Sequence, residues 1–387
     1  MVRSKFNVIH KPVLLNESIN LFSNKKNTIF IDGTFGDGGH TKALLERNKT
    51  CKVYAIDRDP DVLENVAFFL KKYNKRFEFI LGKISDLEQI VLKKKLNNKV
   101  DGIFFDLGVS TRQLKDGNRG FSFQKDGPLD MRMAQDGQTA SEFLNSEDEK
   151  KISDIIFKYG EERYSRKIAK AIINYRKEKK IERTLELVEI IKSVKKSSKR
   201  KIINPATKTF QAIRIYINNE LEELKHGLVS AIQILRKKGR IVLISFHSLE
   251  DKLIKDFLNK NSGKLYNKSR YLPEEEPNKN IRHNLTILTK KVIKPTKREI
   301  QLNFYARSAK LRAAERIWSQ LTKKRSAINI KNKSLLFEKP KVYSKPLALI
   351  EEGKLLIIKK CLKVWCKVSA NEFKGWVKKK NLWGRIN

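Results

Sequence analysis

The sequence predicts an α/β protein with a doubly wound, mostly parallel sheet, an all-helical insertion and a small all-β module at the end. Three observations predict it. Short apolar runs alternate with helically spaced stretches over the first hundred residues, and three of those runs end on or beside an aspartate. The alternation then breaks into roughly 80 residues of helical pattern before another apolar run appears. The last fifty or so residues carry short alternating runs with tryptophans.

The first element is Ile29-Phe-Ile31, a buried-strand pattern that stops at Asp32. Gly33, Gly36, Gly38 and Gly39 follow, and Thr41-Lys-Ala-Leu-Leu-Glu46 then has helical spacing. Glycines between a strand and a helix let the backbone approach a ligand and turn its N–H groups inward. The spacing is neither the dinucleotide G-x-G-x-x-G nor a P-loop, which would need Lys-Ser/Thr.

Val53-Tyr-Ala-Ile-Asp57 is a second strand ending in a carboxylate, the position from which an acid accepts hydrogen bonds from ribose hydroxyls in doubly wound sheets. Phe77-Glu-Phe-Ile-Leu81 is a third strand and Val100-Asp-Gly-Ile-Phe-Phe-Asp106 a fourth. Asp32, Asp57 and Asp106 therefore fall at the strands' carboxyl ends, where such sheets bind ligands. Three acids and no phosphate-gripping lysine suit a cationic nucleoside, S-adenosylmethionine, better than NAD.

Between and around these strands, His10 to Ser18 reads as an extended lead into a short helix. Asp59-Pro60 opens a helix to about Tyr73, with proline at a favourable first-turn position, and another helix follows Ile84-Ser-Asp86 to about Leu96. Arg112 to Met133 is a long polar, glycine-bearing loop, a length that is usually functional. Its Phe121 and Phe123 are candidates to stack on an unpaired base, and Arg112, Arg119 and Arg132 to bind its backbone; the alternative is that the aromatics pin the loop to the core. From Thr139 to about Lys196 three helices are expected, the first starting at Ser146-Glu-Asp-Glu149 and ending at Gly160, the last starting at Thr184. Asn204 to Leu235 then reads as the return to the sheet through a long helix, leading to strand five, Arg240–Ser245. A hydrolase reading of the adjacent His247-Ser248 fails for lack of a G-x-S-x-G elbow.

The 387 residues hold 84 Lys and Arg against 43 Asp and Glu, a net charge of +41. Such a field favours a polyanion, most simply nucleic acid. Cys51, Cys361 and Cys366 lack metal-site spacing and argue against a disulfide framework or a zinc site. No apolar run approaches a membrane span and the first ten residues lack a signal-peptide core, so a cytoplasmic protein with no metal is expected.

Several motifs in series carry a family resemblance. They are His10-x-Pro-Val-Leu-Leu-x-Glu17, Asp32-Gly-Thr-Phe-Gly-x-Gly-Gly-His40, Ala55-Ile-Asp-Arg-Asp-Pro60 and Asp106-Leu-Gly-Val-Ser110, then Gly120-Phe-Ser-Phe123, Asp126-Gly-Pro-Leu-Asp-Met-Arg-Met133 and Tyr159-Gly-Glu-Glu-Arg163, and finally Ser245-Phe-His-Ser-Leu-Glu-Asp251 and Arg307-Ser-Ala-Lys-Leu-Arg312. Over about residues 8–318 the chain closely resembles the RsmH (MraW) family of bacterial small-subunit rRNA cytosine-N4 methyltransferases. The resemblance implies a Rossmann-like class I methyltransferase sheet, S-adenosylmethionine as cofactor, and 16S rRNA of the small ribosomal subunit, at its decoding region, as substrate. It implies cofactor contacts from Gly38, Gly39, His40, Asp57, Asp106 and Gln113. The family's usual Phe after strand three is Ile84 here, which keeps an apolar contact without aromatic stacking. Asp106 is the candidate catalytic residue, and two roles stay open for it: contact with the target amine, or with the cofactor only. Arg112, Phe121, Phe123, Arg132, Arg307, Lys310 and Arg312 are the candidate RNA contacts. The family's Asn-Pro-Arg-x-Arg-Ser reads Asn303-Phe-Tyr-Ala-Arg-Ser308, with one arginine lost.

The expected division is 1–115 and 203–318 for the methyltransferase core, 116–202 for the substrate-recognising loop and helical insertion, 319–338 for a basic linker and 339–387 for the tail module. In the tail, runs at 341–344, 353–359, 364–369 and 373–378 read as strands. With Trp365, Trp376 and Trp383 they resemble a bacterial SH3-like barrel, whose ligand is unknown; at least two of the tryptophans are expected in its core. A homodimer is one expected assembly. Two other readings remain: an NAD-dependent oxidoreductase, disfavoured by the glycine spacing, and a basic RNA-binding adaptor with a vestigial cofactor pocket.

Overall fold

Apolar runs of four to seven residues bounded by turns form the first four strands where the sequence expects them. A computed structural model describes residues 12–195, 204–263, 283–317, 327–330, 333–341, 343–351, 355–362, 364–370 and 373–383. The chain divides into two compact units, 1–319 and 320–387. In the first, β1 (Ile29–Asp32), β2 (Lys52–Asp57), β3 (Phe77–Leu81), β4 (Val100–Asp106), β5 (Leu235–Ser245), β6 (Leu285–Ile287) and β7 (Lys310–Arg316) form one sheet in the order β3-β2-β1-β4-β5-β7-β6. The first five are mutually parallel, whereas β7 runs antiparallel to β5 and β6 antiparallel to β7.

The strand order reverses between β1 and β4, so the crevice beyond their carboxyl ends is the topological switch point at which open α/β sheets bind ligands. Register brings the acids to that edge. Asp32 pairs with Ala55 and Phe104, Asp57 with Leu81 and Asp106 with Ile244. Both faces of the sheet are covered: Phe30, Val53, Phe104 and Val242 pack on one side, and Ile31, Ile56, Ile103, Phe105 and Leu243 on the other. Burial on both faces explains why these strands read as continuous apolar runs.

The insertion has its own core. Helices Ala140–Ser146, Glu149–Gly160, Ser165–Glu178 and Thr184–Val194 enclose residues such as Phe143, Ile156, Ile168 and Ile191. Helix Thr207–Ile217, expected to belong to the return to the sheet, packs here too through Phe210 and Ile213. The single helix expected up to Leu235 is two, because Asn219 takes a left-handed conformation (φ 49°) between Ile217 and Glu220. The expected cap at Ser146 also moves: Asp148 caps helix Glu149–Gly160, its carboxylate accepting from Lys151 N–H, while Ser146 ends the preceding helix. Both residues suit a cap, so the chemistry alone did not choose between them.

The second unit is an antiparallel sheet of β8 (Ala327–Ile330), β9 (Ser334–Phe337), β10 (Pro346–Ile350), β11 (Leu355–Cys361), β12 (Trp365–Ala370), β13 (Phe373–Lys378) and β14 (Leu382–Trp383), in the order β10-β9-β13-β12-β11-β8-β14. Its core includes Leu336, Leu356, Val368 and Val377. Two expectations change. The stretch read as a linker supplies β8 and β9, and of the strand expected at 341–344, Lys341, Tyr343 and Ser344 lie outside any strand, between β9 and β10, while Val342 is outside the described residues. Trp365 is 9% exposed and packs edge-on against Phe337, Trp376 is half-buried, and the Trp383 side chain lies outside the described residues. Cys361 and Cys366 are disulfide-bonded, contrary to the reading against disulfides, because β11 and β12 place them directly opposite each other. Among the described residues no helix is long and apolar enough to cross a membrane.

Candidate active site

The glycine turn is bound to all three acids. Asp32 accepts from Thr34 N–H (3.1 Å) and from the Thr41 hydroxyl (2.7 Å). Thr34 Oγ1 in turn accepts the Asp106 N–H at 2.6 Å. Asp57 accepts from Gly36 N–H at 2.7 Å through one oxygen and from Asp59 N–H at 2.9 Å through the other. Gly36 has φ +51°, and a Cβ added there would meet nothing within 4 Å, so the turn is open on that side. At Gly39 a Cβ would come 2.2 Å from the Pro12 ring, and at Gly38 (φ +77°) 2.5 Å from Phe69. These two glycines are required by the close approach of their neighbours.

Burial dominates the electrostatics. Desolvation pushes the carboxyls of Asp32 and Asp57 up to about 6 in each case, against hydrogen bonds that favour the charged form. Desolvation also raises Asp106 well above the carboxylate range, with Asp32 and Glu250 adding repulsion. Its Oδ1 is buried with no hydrogen-bond partner, although the side chain as a whole keeps 23% exposure, which tempers the desolvation. Three crowded carboxyl groups, one with an orphaned oxygen, suit a cation or a hydrogen-bond donor.

His40, in the first turn of helix Gly39–Arg47, is buried against the Phe104 ring. Its Nε2 lies 3.1 Å from the Val13 carbonyl and its Nδ1 3.7 Å from Asp106 Oδ2. Ile84 is half-buried and close to both Gly33 and Gly227. Gln113 is turned inward. Its carbonyl accepts Ser110 N–H in a capping box and its amide donates to Asp59 at 2.7 Å, so both ends serve the fold.

Beside Asp106, at the end of β5, stands a cluster that motif reading left without a role. Glu250 accepts from Phe246 N–H (2.9 Å) and lies 3.1 Å from His247 Nε2. Arg214 makes two hydrogen bonds to Glu220, at 2.8 and 2.9 Å. Despite desolvation, His247 and Arg214 hold the Glu250 carboxyl below its ordinary value. Glu220, His247 and Glu250 bring potential ligand atoms within 4.8 Å of one another, and the cation already there is the Arg214 guanidinium. The sequence signal was present: an acid three residues after His247 at a helix start is a capping pattern, and Glu250 N–H donates to His247 Nδ1 at 3.4 Å.

The candidate RNA contacts separate. Phe121 is 5% exposed within the helical core and Phe123 packs edge-on against Phe210, so these aromatics pin the loop instead of offering their faces. Arg112 is held by Asp37 and the Asp61 carbonyl, Arg132 by Asp130 and the Gly137 carbonyl. Arg119 is buried on Asp59 and Asp61, and donates to the Arg132 and Met133 carbonyls. Lys310 and Arg312 both pair with Asp251, at 3.0 and 2.8 Å. Arg307 is exposed, its guanidinium 4.3 Å from the Phe304 ring centroid. The acidic partners of Arg112, Arg119, Lys310 and Arg312 lie about 60 residues or more away in the chain, whereas that of Arg132 is its near neighbour Asp130.

Residues 7–317 match the model of the MraW methylase family, and residues 331–384 match that of a bacterial SH3 domain. The chain belongs to the MraW methylase family. Relatives named ribosomal RNA small subunit methyltransferase H from Rickettsia conorii and Rickettsia prowazekii are 47% and 48% identical over 312 and 311 residues, covering 80% of this chain and 98% of each relative. A putative methyltransferase from Streptococcus mutans, solved in complex with SAH, shows a remote likeness at TM-score 0.34 and 13% identity, covering 78% of this chain and 94% of that one. As expected from its sequence, this MraW methylase has the class I methyltransferase sheet and S-adenosylmethionine as its cofactor. The donor set fits that group: crowded acids with raised pKa values accommodate a sulfonium charge, and Asp57 at the end of β2 stands where ribose hydroxyls are bound.

Proposed function

We propose that this chain transfers a methyl group from S-adenosylmethionine to the N4 amine of a cytidine in small-subunit rRNA, in the decoding region. Membership of the MraW methylase family and the names of the Rickettsia relatives support methylation of small-subunit rRNA. The observation that carries the amine reading is the orphaned, buried Oδ1 of Asp106 at the rim of the switch-point crevice.

S-adenosylmethionine supplies an electrophilic methyl group. The cytosine N4 lone pair is delocalised into the ring, so the amine is a poor nucleophile and must be held in line at near-attack distance. Asp106 would accept a hydrogen bond from the amine, stabilise the positive charge that develops on nitrogen, and take the proton released as the N–C bond forms and the methyl–sulfur bond breaks, its electron pair staying on the departing thioether. Its raised pKa makes it a better base near neutral pH than an ordinary carboxylate. Asp57 is assigned to the ribose, Gly38, Gly39 and His40 to the cofactor's approach, and Ile84 to an apolar contact with adenine. The helical insertion orients the RNA, and the target base enters unpaired or everted. This chemistry implies action in the cytoplasm, where ribosomal subunits are assembled.

Purified protein, small subunits lacking the modification and labelled cofactor should yield N4-methylcytidine at one position after nuclease digestion and nucleoside mass spectrometry. Transfer to a different base, or none at all, would overturn the reading. Calorimetric binding of NAD in place of S-adenosylmethionine would favour the oxidoreductase, and rRNA binding without methyl transfer the adaptor.

A further inference from the structure

Where the family resemblance leads one to expect Asn-Pro-Arg, this chain has Asn303-Phe304-Tyr305, and the exchange has a structural consequence. Phe304–Ser308 forms a short 3-10 helix whose start is fixed by the Asn303 side chain, which accepts from Tyr305 N–H at 3.2 Å. Ala306 and Ala309 are buried in the sheet's core and anchor the segment. With that side committed, the two rings face outward: Phe304 is 58% exposed and Tyr305 50%. The Arg307 guanidinium lies over the Phe304 ring. Among the described residues no carboxylate pairs with Arg307, whereas Arg112, Arg132, Lys310 and Arg312 each have one.

Position ties this segment to the site. Lys310, which opens β7, pairs with Ser245 at the end of β5, and the preceding residue of β5, Ile244, pairs with Asp106. The segment therefore enters the sheet at the edge where the acids lie.

We propose that Phe304, Tyr305 and Arg307 form a stacking subsite for one unpaired base of the RNA strand flanking the target nucleotide. This inference rests on the reading of the substrate as RNA. Every base offers a π-face to an aromatic side chain, and a guanidinium beside the ring adds attraction for both base and phosphate. A net charge of +41 favours such a strand over a cationic or neutral protein surface as the occupant.

The test uses the full-length protein. Phe304→Ala/Tyr305→Ala should raise KM for small subunits about tenfold and weaken binding of a single-stranded oligoribonucleotide of the target flank by a similar factor. kcat at saturating subunits, cofactor affinity and melting temperature should stay at wild-type values, and Phe304→Trp should bind the oligonucleotide at least as well as wild type. Arg307→Ala should lower the slope of log affinity against log salt by about one, and the aromatic double variant should leave it unchanged. An unchanged KM and oligonucleotide affinity in the double variant would overturn the proposal, as would loss of binding to a ribosomal protein with RNA affinity intact. If wild-type protein bound the oligonucleotide but methylated nothing, the functional reading would fall while the binding arm still decided the subsite.

Discussion

His40 Nδ1 lies 3.7 Å from Asp106 Oδ2 while its Nε2 lies 3.1 Å from the Val13 carbonyl. A carbonyl only accepts, so its position assigns the ring hydrogen to Nε2. In the neutral ring the Nδ1 lone pair then faces the carboxyl of the proposed amine acceptor.

Replacing that acceptor tests the chemistry. Asp106→Asn should lower kcat by about 100-fold or more, the usual contribution of general base catalysis, with a smaller change in cofactor affinity. Wild-type kcat/KM should rise with pH, since the carboxyl must lose its proton to accept one, and its raised pKa displaces that limb above the ordinary carboxylate range. In Asp106→Asn the limb should vanish. Stopped assays from pH 5 to 9 on labelled subunits would show it.

Cofactor affinity should depend on pH through Asp32 and Asp57. Both carboxyls are raised to about 6, so a cationic ligand binds more tightly as pH climbs from 5 to 7 and displaces protons as it binds. Calorimetry at pH 6 in buffers of different ionisation enthalpy should detect proton release with S-adenosylmethionine and less with its neutral demethylated product. Equal release with both would contradict the electrostatic account.

The same carboxyls work against the ligand-free fold. A carboxyl whose pKa is raised in the folded state contributes stability that is complete below about pH 4 and is lost as pH rises through 6. Asp32→Asn keeps hydrogen-bonding atoms beside Thr34 and Thr41, and should stabilise the ligand-free protein at pH 7 by roughly 2–3 kcal/mol. Urea melts at pH 4 and pH 7 should show the gain only at the higher pH.

The glycine turn gives a graded series. Gly36→Ala meets open space and carries only the strain of φ +51°, about 1 kcal/mol. Gly38→Ala adds a clash with Phe69 to φ +77° and should cost clearly more, about 2–4 kcal/mol. Thermal melts should rank wild type above Gly36→Ala, and Gly36→Ala above Gly38→Ala.

Arg119 holds the long loop to the sheet. It is buried on Asp59 and reaches the Met133 carbonyl, so Arg119→Ala should cost about 3–5 kcal/mol, and Arg119→Lys should recover little because one ammonium cannot span those acceptors. Limited proteolysis between residues 112 and 139 should accelerate in both variants.

The sheet's parallel strands, its acid-tipped edge and the helical insertion were legible because each rests on local pattern: short apolar runs, a carboxylate at a strand end, helical spacing. The tail's strands were legible in part. Runs at β11, β12 and β13 alternate clearly, but β8 and β9 lie in a lysine-rich stretch whose charge concealed them. The candidate RNA contacts were the least legible, since a basic residue looks the same in sequence whether it faces solvent or is tied to an acid far away in the chain, as Lys310 and Arg312 of β7 are to Asp251.

By itself the sequence determined the first four strands, the glycine turn and the three acids that end β1, β2 and β4, because these depend on neighbours a few residues apart. The tertiary structure alone decided which charges are already neutralised, which aromatics are buried, and that Glu250, His247 and Arg214 stand beside Asp106. Those outcomes depend on groups brought together from separate parts of the chain, such as Lys310 with Asp251 and Glu250 with Asp106, and only folding sets their distance and their access to water.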